Sequence, residues 1–303
     1  MVLPVTSRRS FVAASLALGA DALATKRAAR AAPALIDSHV HVWKVSPKYP
    51  FATSSKNPPT EDATAQMLLG LMKAHGVQKS VIVQVSHYGW DHRYLAGVLR
   101  RHKGRFVGVA RVNPEDPAAP DQLEALVKKR GFRGLRLNVQ PDPAYDWVRG
   151  PLMPPLWQRC QDLRVPLGLQ TKHSRLPDLG KLVEKFPELT VVVDHMADTP
   201  ADDTKALDNL LGWQRYPNVF VKITHAWWVS KKPYPYEDAL AMVKRIYDRF
   251  GPRRLLWGTD WPIVNRFCGY TKALELVRDE MPFLNDEDKA WIFEKTARHV
   301  WRL

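Results

Sequence analysis

The stretch Leu35-Ile36-Asp37-Ser38-His39-Val40-His41-Val42, together with Trp257-Gly258-Thr259-Asp260 near the other end of the chain, carries the strongest signal in this sequence. Side chains alternate between the two faces of a β-strand, so Asp37, His39 and His41 are predicted on one face and the aliphatic residues on the other. A polar face backed by an aliphatic face fits a strand with a reactive inner side. The second stretch ends on a carboxylate, and together they predict an enzyme site; buried structural histidines and a helix-capping aspartate are the alternatives.

Residues 1–32 are predicted to be a twin-arginine signal peptide, and residues 33–303 a single domain. Ser7-Arg8-Arg9-Ser10-Phe11 precedes a weakly apolar run and then small residues near Ala32, where we expect cleavage. The run is short and contains Asp21, which argues against a permanent membrane span. We therefore expect a periplasmic or secreted protein with no membrane span after cleavage. An ordinary basic N-terminus is the alternative.

The positive net charge of the chain does not indicate a nucleic-acid partner. The formal net charge is +14, and the five Lys and Arg of the leader against one Asp account for +4, which leaves +10. The remaining cations are scattered and no nucleic-acid motif is present, so we expect a small-molecule substrate and at most a mild preference for anions. Cys160 and Cys268 lie far apart without a partner spacing, so a disulfide formed after export and two ordinary buried or half-buried thiols are both open.

Eight short apolar runs alternate with amphipathic segments across residues 34–303. This alternation favours parallel strands joined by right-handed crossovers, and eight such units close a (β/α)8 barrel, or TIM barrel. An open doubly wound sheet is disfavoured because no glycine-rich phosphate turn follows any strand. The predicted strands are 35–42, 80–86, 105–112, 132–139, 166–170, 189–195, 219–224 and 255–259. Additional C-terminal helices are predicted at 272–280 and 286–300.

In a barrel of this kind the reactive groups lie at the C-terminal ends of the strands, and polar residues of this chain fall there. The inward-facing candidates are Gln84, Ser86, Arg136, Asn138, His195 and Lys222. Alternation sends His225 to the face opposite Lys222. For Arg136, a substrate carboxylate and an internal salt bridge to an acid such as Asp37 are both open. Lys222 is either a site residue or half of an ion pair.

This grouping predicts a specific kind of chemistry. A carboxylate beside two or three imidazoles can deprotonate water, with or without a divalent metal, and direct it at a carbonyl carbon. His195 is placed to hold the carbonyl oxygen as negative charge develops.

The sequence resembles the amidohydrolase superfamily, in its amidohydrolase-2 branch of (β/α)8 hydrolases and decarboxylases. Within that branch it is most similar to the 2-pyrone-4,6-dicarboxylate lactonases and related lactone hydrolases, and the resemblance extends from Ala34 to Leu303. It rests on five motifs, at residues 36–41, 81–84, 134–138, 193–196 and 257–262.

The resemblance implies roles for several of these residues. Asp260 would be the general base for the attacking water. His39, His41 and His195 would surround the carbonyl group of the substrate, and Arg136 would help to hold an acid group.

The resemblance leaves the metal open. Metal-dependent relatives bind zinc through the paired histidines, the strand-eight aspartate and a histidine at the end of strand five. Here Gln170 takes that last position and is counted among the substrate contacts, while His173 lies in the loop beyond. Two possibilities are therefore equally open. His39, His41 and Asp260 could bind one divalent ion, most readily zinc, or the mechanism could be metal-free.

The resemblance also bears on the substrate. Trp228 follows strand seven where dicarboxylate-cleaving relatives carry an arginine, so we expect a flatter and less acidic ligand with Trp228 in contact. The aromatic residues predicted in the loops at the barrel mouth are Tyr88, Trp90, Trp227, Trp228, Tyr234 and Tyr236. Rim packing is the alternative for any single one of them.

These observations lead to one main hypothesis and two alternatives. The first is a hydrolase that opens a lactone or a similar cyclic ester or amide, with water activated by Asp260. The second is a metal-dependent, non-oxidative decarboxylase of an aromatic or unsaturated carboxylic acid. The third is a periplasmic ligand-binding barrel without catalysis, which would have no need of Asp260. Pairing through exposed helices is common among such relatives, and a homodimer is expected on that ground.

Overall fold

The computed structural model describes residues 34–139 and 147–303, and the predicted signal peptide lies outside the described residues. Eight parallel strands follow one another around a single sheet in sequence order, which confirms the (β/α)8 barrel. Backbone hydrogen bonds from Ser38 N to Trp257 O (3.0 Å) and from Asp260 N to His39 O (2.8 Å) join the first strand to the segment after the last. The strands are β1 Leu35–Val40, β2 Val77–Val83, β3 Phe106–Ala110, β4 Gly134–Asn138, β5 Leu167–Gln170, β6 Val191–Val193, β7 Val219–Lys222 and β8 Leu255–Leu256.

Helices follow the strands and cover the outside of the barrel. They are α1 Ala65–Ala74, α2 Arg93–Arg101, α3 Ala119–Arg130, α4 Met153–Asp162, α5 Leu176–Lys185, α6 Thr204–Leu211, α7 Ala226–Val229, α8 Glu237–Phe250, α9 Gly269–Arg278, α10 Asp286–Ala290 and α11 Thr296–Trp301. A π-helical turn at Trp291–Lys295 joins α10 to α11, so the predicted C-terminal helices are confirmed. Across the described part of the chain, every helix is too short or too polar to span a bilayer.

The core of the barrel has an inner and an outer layer. The outer layer lies between the sheet and the helices. In the inner layer, α11 packs against the strand residues and closes the N-terminal end of the barrel; Trp301 is 1% exposed. Gly134 leaves room for this indole, since a Cβ atom there would lie 2.9 Å from the ring. The inner layer consists of Ile36, Val81, Val83, Val107, Val109, Val192, Phe220, Leu256, Ala297, Val300 and Trp301.

A bulge in β1 changes which of its residues face inward. Asp37 pairs with Ser80 and Val40 with Ile82, so β1 contains one residue more than β2 over this span. Asp37 accepts hydrogen bonds from the backbone N (3.0 Å) and the hydroxyl (2.7 Å) of Thr259. Ile36 packs in the inner layer instead. The prediction that Asp37 shares a face with the two histidines is therefore wrong, because simple alternation does not hold across a bulge.

The inner layer predicts a large effect of truncating its closing residue. We expect Trp301→Ala to lower the free energy of unfolding by about 3–5 kcal/mol, because a buried indole is lost and a cavity remains. Equilibrium unfolding in urea measures the change. The matched control is Trp228→Ala, whose indole is 59% exposed, and for which we expect about 0.5 kcal/mol or less. Equal effects of the two variants would contradict the assignment of Trp301 to the core.

Candidate active site

Three strands of the barrel end in residues with left-handed backbone conformation. His195 follows β6 with φ 54°, His225 follows β7 with φ 67°, and Asp260 follows β8 with φ 56°. For residues with a Cβ atom this conformation costs about 1–2 kcal/mol each, and it persists where surrounding bonds enforce it. The consequence is that each strand turns sharply at its C-terminal end and sends a side chain across the mouth of the barrel.

His225 belongs to the site, although alternation predicted it on the opposite face. Its Nε2 lies 2.7 Å from Asp260 Oδ2, and its ring stacks on that of His195 with 3.4 Å between centroids and 4° between planes. The prediction is wrong because the left-handed backbone at His225 breaks the two-residue period of β7. Its place directly after a strand, like that of His195 and Asp260, was the signal that could have identified it.

The predicted cluster of two histidines and one carboxylate is present. Asp260 Oδ1 lies 3.2 Å from His41 Nε2 and 3.6 Å from His39 Nε2. His195 also lies inward, as predicted, with its ring centroid 4.5 Å from that of His39. Asp260 is only 3% exposed, and its Oδ1 makes no geometrically satisfactory hydrogen bond with any described residue. The structure therefore holds one buried carboxylate among four imidazoles, with an oxygen available to a ligand.

The proton on His41 is fixed by its neighbour. His41 Nδ1 lies 2.8 Å from the carbonyl oxygen of Val83, which can only accept a hydrogen bond, so Nδ1 carries a proton. In the neutral ring Nε2 then has a free lone pair that faces Asp260 Oδ1. Two acceptors at this distance repel unless a proton or a cation lies between them. This is the arrangement that orients a histidine as a metal ligand.

His39, His41 and Asp260 could together bind one divalent ion, provided that the His39 ring has the tautomer that a metal ligand needs. The ligand atoms of His39, His41 and Asp260 lie within 4.8 Å of one another. However, His39 Nδ1 lies 2.9 Å from the Nζ of Lys222. When that ammonium donates to Nδ1, the neutral ring carries its proton on Nε2, which then points to Asp260 and not to a metal. His39 could bind an ion only with its Nδ1 proton directed elsewhere, and Asp194 Oδ1 at 3.6 Å is the nearby acceptor.

A second buried carboxylate, Asp194, organises the cations of the barrel. Lys222 Nζ lies 2.9 Å from its Oδ1, and Arg136 Nε donates to its Oδ2 at 3.0 Å. The internal salt bridge considered for Arg136 is thus present, but its partner is Asp194 and not Asp37. Lys222 lies inward as predicted. Asp194 itself was missed as a site residue, because it directly precedes His195 and alternation gives inward facing to only one of the two.

Burial and the neighbouring cations together determine whether Asp194 and Asp260 are ionised. Burial alone would raise the pKa of both carboxyl groups, but the Lys222 ammonium keeps the pKa of Asp194, and the hydrogen bond from His225 keeps that of Asp260, well below the usual range. Burial opposes protonation of His225, yet its contacts with Asp198 and Asp260 raise its pKa. The site therefore holds two carboxylates.

Two of the imidazoles stay neutral. Burial and the Lys222 ammonium lower the pKa of His39 to about 3. Burial and the charge of His225 lower the pKa of His195 well below its usual value. His195 Nδ1 lies 2.5 Å from the hydroxyl of Thr224, which directly precedes His225 in the chain. A neutral imidazole ring can donate one hydrogen bond from its N–H and accept another at its second nitrogen.

Other predicted contacts have different surroundings. Gln84 is 2% exposed and its Nε2 donates to the carbonyl oxygen of Asp91 at 2.8 Å, which ties β2 to the following loop. Asn138 Nδ2 donates to Gln170 Oε1 at 2.7 Å, so these two candidates bridge β4 and β5. Ser86 is exposed in a short turn after β2. Contact of these side chains with a substrate stays a prediction.

The predicted aromatic residues of the mouth divide into packed and open ones. Tyr88 is 3% exposed, and its hydroxyl donates to the carbonyl oxygen of Lys44, so it belongs to the rim core. Trp227 stacks on Phe267 with 4.3 Å between centroids and lies 4.5 Å from the ring of His225. Trp228 and Trp90 are exposed, by 59% and 47%, and the Trp228 ring lies 6.5 Å from the His225 ring.

Comparison with known proteins places the chain among hydrolases. It is 29% identical over 290 residues to an L-fucono-1,5-lactonase of Burkholderia ambifaria, covering 88% of this chain and 95% of the relative. It is 28% identical over 235 residues to a 4-sulfomuconolactone hydrolase of Hydrogenophaga intermedia, covering 76% and 75%. A solved amidohydrolase of Burkholderia multivorans with bound zinc shares the fold, with a TM-score of 0.73, 22% identity and coverage of 89% and 99%.

The family assignment rests on the whole barrel and not on a single motif. The family model described as Amidohydrolase matches residues 36–303, from the second residue of β1 to the last residue of the chain. Apart from Leu35, that range contains all eight strands, and it includes every side chain of the cluster around Asp260. The chain therefore belongs to the amidohydrolase family and is a hydrolase.

Proposed function

We propose that this hydrolase opens a lactone, or a similar cyclic ester, by attack of a water molecule that Asp260 deprotonates. The observation that carries the proposal is the buried Asp260 carboxylate, with Oδ1 free of satisfactory hydrogen bonds and four imidazoles around it. The names of the two relatives support the choice of substrate class, since both denote enzymes that act on lactones.

The proposed reaction begins at Asp260 Oδ1. This oxygen accepts a proton from water while the water oxygen bonds to the carbonyl carbon of the lactone. When the ring C–O bond breaks, the proton passes to the departing ring oxygen, and the product is a hydroxy acid. Because His225 lowers the pKa of Asp260, the carboxyl group holds the proton only briefly. His225 also fixes the orientation of the carboxylate through the 2.7 Å contact at Oδ2.

Negative charge on the carbonyl oxygen needs a hydrogen-bond donor. His195 supplies one if the Thr224 hydroxyl donates to its Nδ1, because the neutral ring then carries its proton on Nε2. The same ring is stacked on His225, which restricts its rotation. A divalent ion held by His39, His41 and Asp260 would add Lewis-acid polarisation of the carbonyl group.

We also propose that the enzyme acts outside the cytoplasm. Support comes from the sequence alone, in the Arg8-Arg9 motif and the small residues that end near Ala32. The twin-arginine route carries folded proteins, which suits a barrel whose site depends on distant strands.

The role of Asp260 predicts a catalytic variant that still folds. We expect Asp260→Asn to lower kcat for lactone opening by about 10²–10⁴-fold, because the amide oxygen cannot accept the proton of water. The matched control is Asp208→Asn, at an exposed carboxylate on α6, which should keep the activity of the wild type. Circular dichroism and melting temperature establish that both variants fold. Full activity of Asp260→Asn would refute the assignment.

The contact between Lys222 and His39 predicts independence from metal. We expect lactone hydrolysis to survive dialysis against a chelator, because the Lys222 ammonium occupies one side of His39 and places positive charge beside the donor set. Elemental analysis and activity before and after dialysis make the measurement. Loss of activity that zinc or manganese restores, or tightly held stoichiometric metal, would contradict this expectation. Restored lactone hydrolysis would indicate a metal-dependent lactonase, whereas tightly held metal without lactone hydrolysis would favour the decarboxylase alternative, which must then be assayed with aromatic acids.

A further inference from the structure

We propose that Arg111 binds an acid group of the substrate, so that the preferred lactones carry a carboxylate or a sulfonate. This inference rests on the proposed function and extends it, because it selects charged lactones over neutral sugar lactones. Arg111 has no part in the acid–base chemistry described above. It lies directly after β3, on the side of the barrel mouth next to β4.

The strand register places Arg111 beside Arg136. Ala110 of β3 pairs with Leu135 of β4, so the residues that follow, Arg111 and Arg136, are neighbours across the sheet. Val109, two residues earlier, packs in the inner layer of the barrel, and alternation gives Arg111 the same inward direction. The two arginines are therefore neighbouring residues on the inner face, at the C-terminal edge where ligands of this fold bind.

Arg111 differs from its neighbours because its charge is not balanced. Arg136 and Lys222 both contact the carboxylate of Asp194. Arg111 is 9% exposed and its Nε is buried without a hydrogen-bond partner; among the residues that the structure describes, it forms no ion pair with a carboxylate. Burial and the charge of Arg136 lower its pKa to about 10, so the group remains a cation at neutral pH. A buried cation without a partner is costly unless a ligand supplies the anion.

The surroundings of Arg111 favour a planar anion. The ring centroid of Trp90 lies 5.1 Å from the guanidinium carbon, so the indole covers one face of the group and leaves its edge for hydrogen bonds. Arginine pairs with carboxylates and similar oxyanions through two parallel N–H bonds. A substrate with one acid group would pair with Arg111 while its carbonyl group meets the imidazoles. One such cation agrees with the expectation of a ligand less acidic than a dicarboxylate.

The test compares two lactones that differ only in charge. The first is γ-butyrolactone with a carboxylate on the carbon beside the ring oxygen, and the second is its carboxamide. We expect wild-type enzyme to prefer the acid, and Arg111→Met to lower the acid-to-amide ratio of kcat/KM by roughly tenfold or more. Most of the loss should be a higher KM for the acid, and Arg111→Lys should restore part of it. The matched control is Arg105→Met, at the exposed opposite end of the same strand, which should keep the wild-type ratio.

A binding measurement separates this inference from the proposed function. α-Hydroxyglutarate, the product of the acid lactone, is titrated calorimetrically into wild type, Arg111→Met and Arg105→Met. We expect roughly tenfold weaker binding for Arg111→Met alone. If that holds while no lactone is hydrolysed, the acid site stands and the proposed function fails. An unchanged acid-to-amide ratio, or equal affinity in wild type and Arg111→Met, would overturn the inference and leave Arg111 as a packing partner of Trp90.

Discussion

The site depends on the backbone at the ends of three consecutive strands. Within four residues of the ends of β6, β7 and β8 lie three residues with positive φ, namely His195, His225 and Asp260. Each left-handed residue turns its side chain toward the barrel axis, where regular extension would have continued the alternation. The cost of about 1–2 kcal/mol per residue is offset by buried contacts, among them the His195–His225 stack and the His225–Asp260 hydrogen bond. The chemistry and the strain therefore occupy the same residues.

Charge balance is the second constraint on this barrel. Two buried carboxylates, Asp194 and Asp260, are each matched by cations: Asp194 by Lys222 and Arg136, and Asp260 by His225. The Asp194 network is closed, which explains why it can lie inside the barrel without a ligand. Lys222 and Arg136 lie at 2.9 Å and 3.0 Å from the two oxygens of Asp194, whereas Asp260 Oδ1 faces only imidazole nitrogens among the described residues, at 3.2 Å and 3.6 Å. That difference separates a structural carboxylate from one that can accept a proton. Arg111 is the counterpart of this open carboxylate, as a cation that pairs with no carboxylate of residues 34–139 and 147–303.

Much of the fold and part of the site could be predicted from the sequence. Eight apolar runs separated by helical segments were enough for the barrel, because strand-to-strand order in this fold follows chain order. His39, His41, His195 and Asp260 were expected to meet because each lies at the C-terminal end of a strand, and the structure brings them together.

The missed residues are those where the alternation of a strand is broken. The β1 bulge turns Asp37 away from the histidines and brings Ile36 inward, and the left-handed residue after β7 brings His225 in. Neither event leaves a mark such as glycine in the local sequence. The inward direction of Arg111, by contrast, could have been predicted from the sequence, because Arg111, Val109 and Val107 lie on the same face of an alternating strand. Its missing partner, however, is visible only when the neighbouring carboxylates have been located.

The central claim is that Asp260 is a carboxylate held by a hydrogen bond from a protonated His225, while the Val83 carbonyl fixes the orientation of His41. Nitrogen-15 NMR of the imidazoles in the labelled protein at neutral pH tests it most directly. His225 faces carboxylates on both sides, Asp260 at 2.7 Å and Asp198 at 3.4 Å, so both of its nitrogens should carry protons. His41 should carry a proton on Nδ1, toward the Val83 carbonyl. A neutral His225, or a His41 without a proton on Nδ1, would contradict the account.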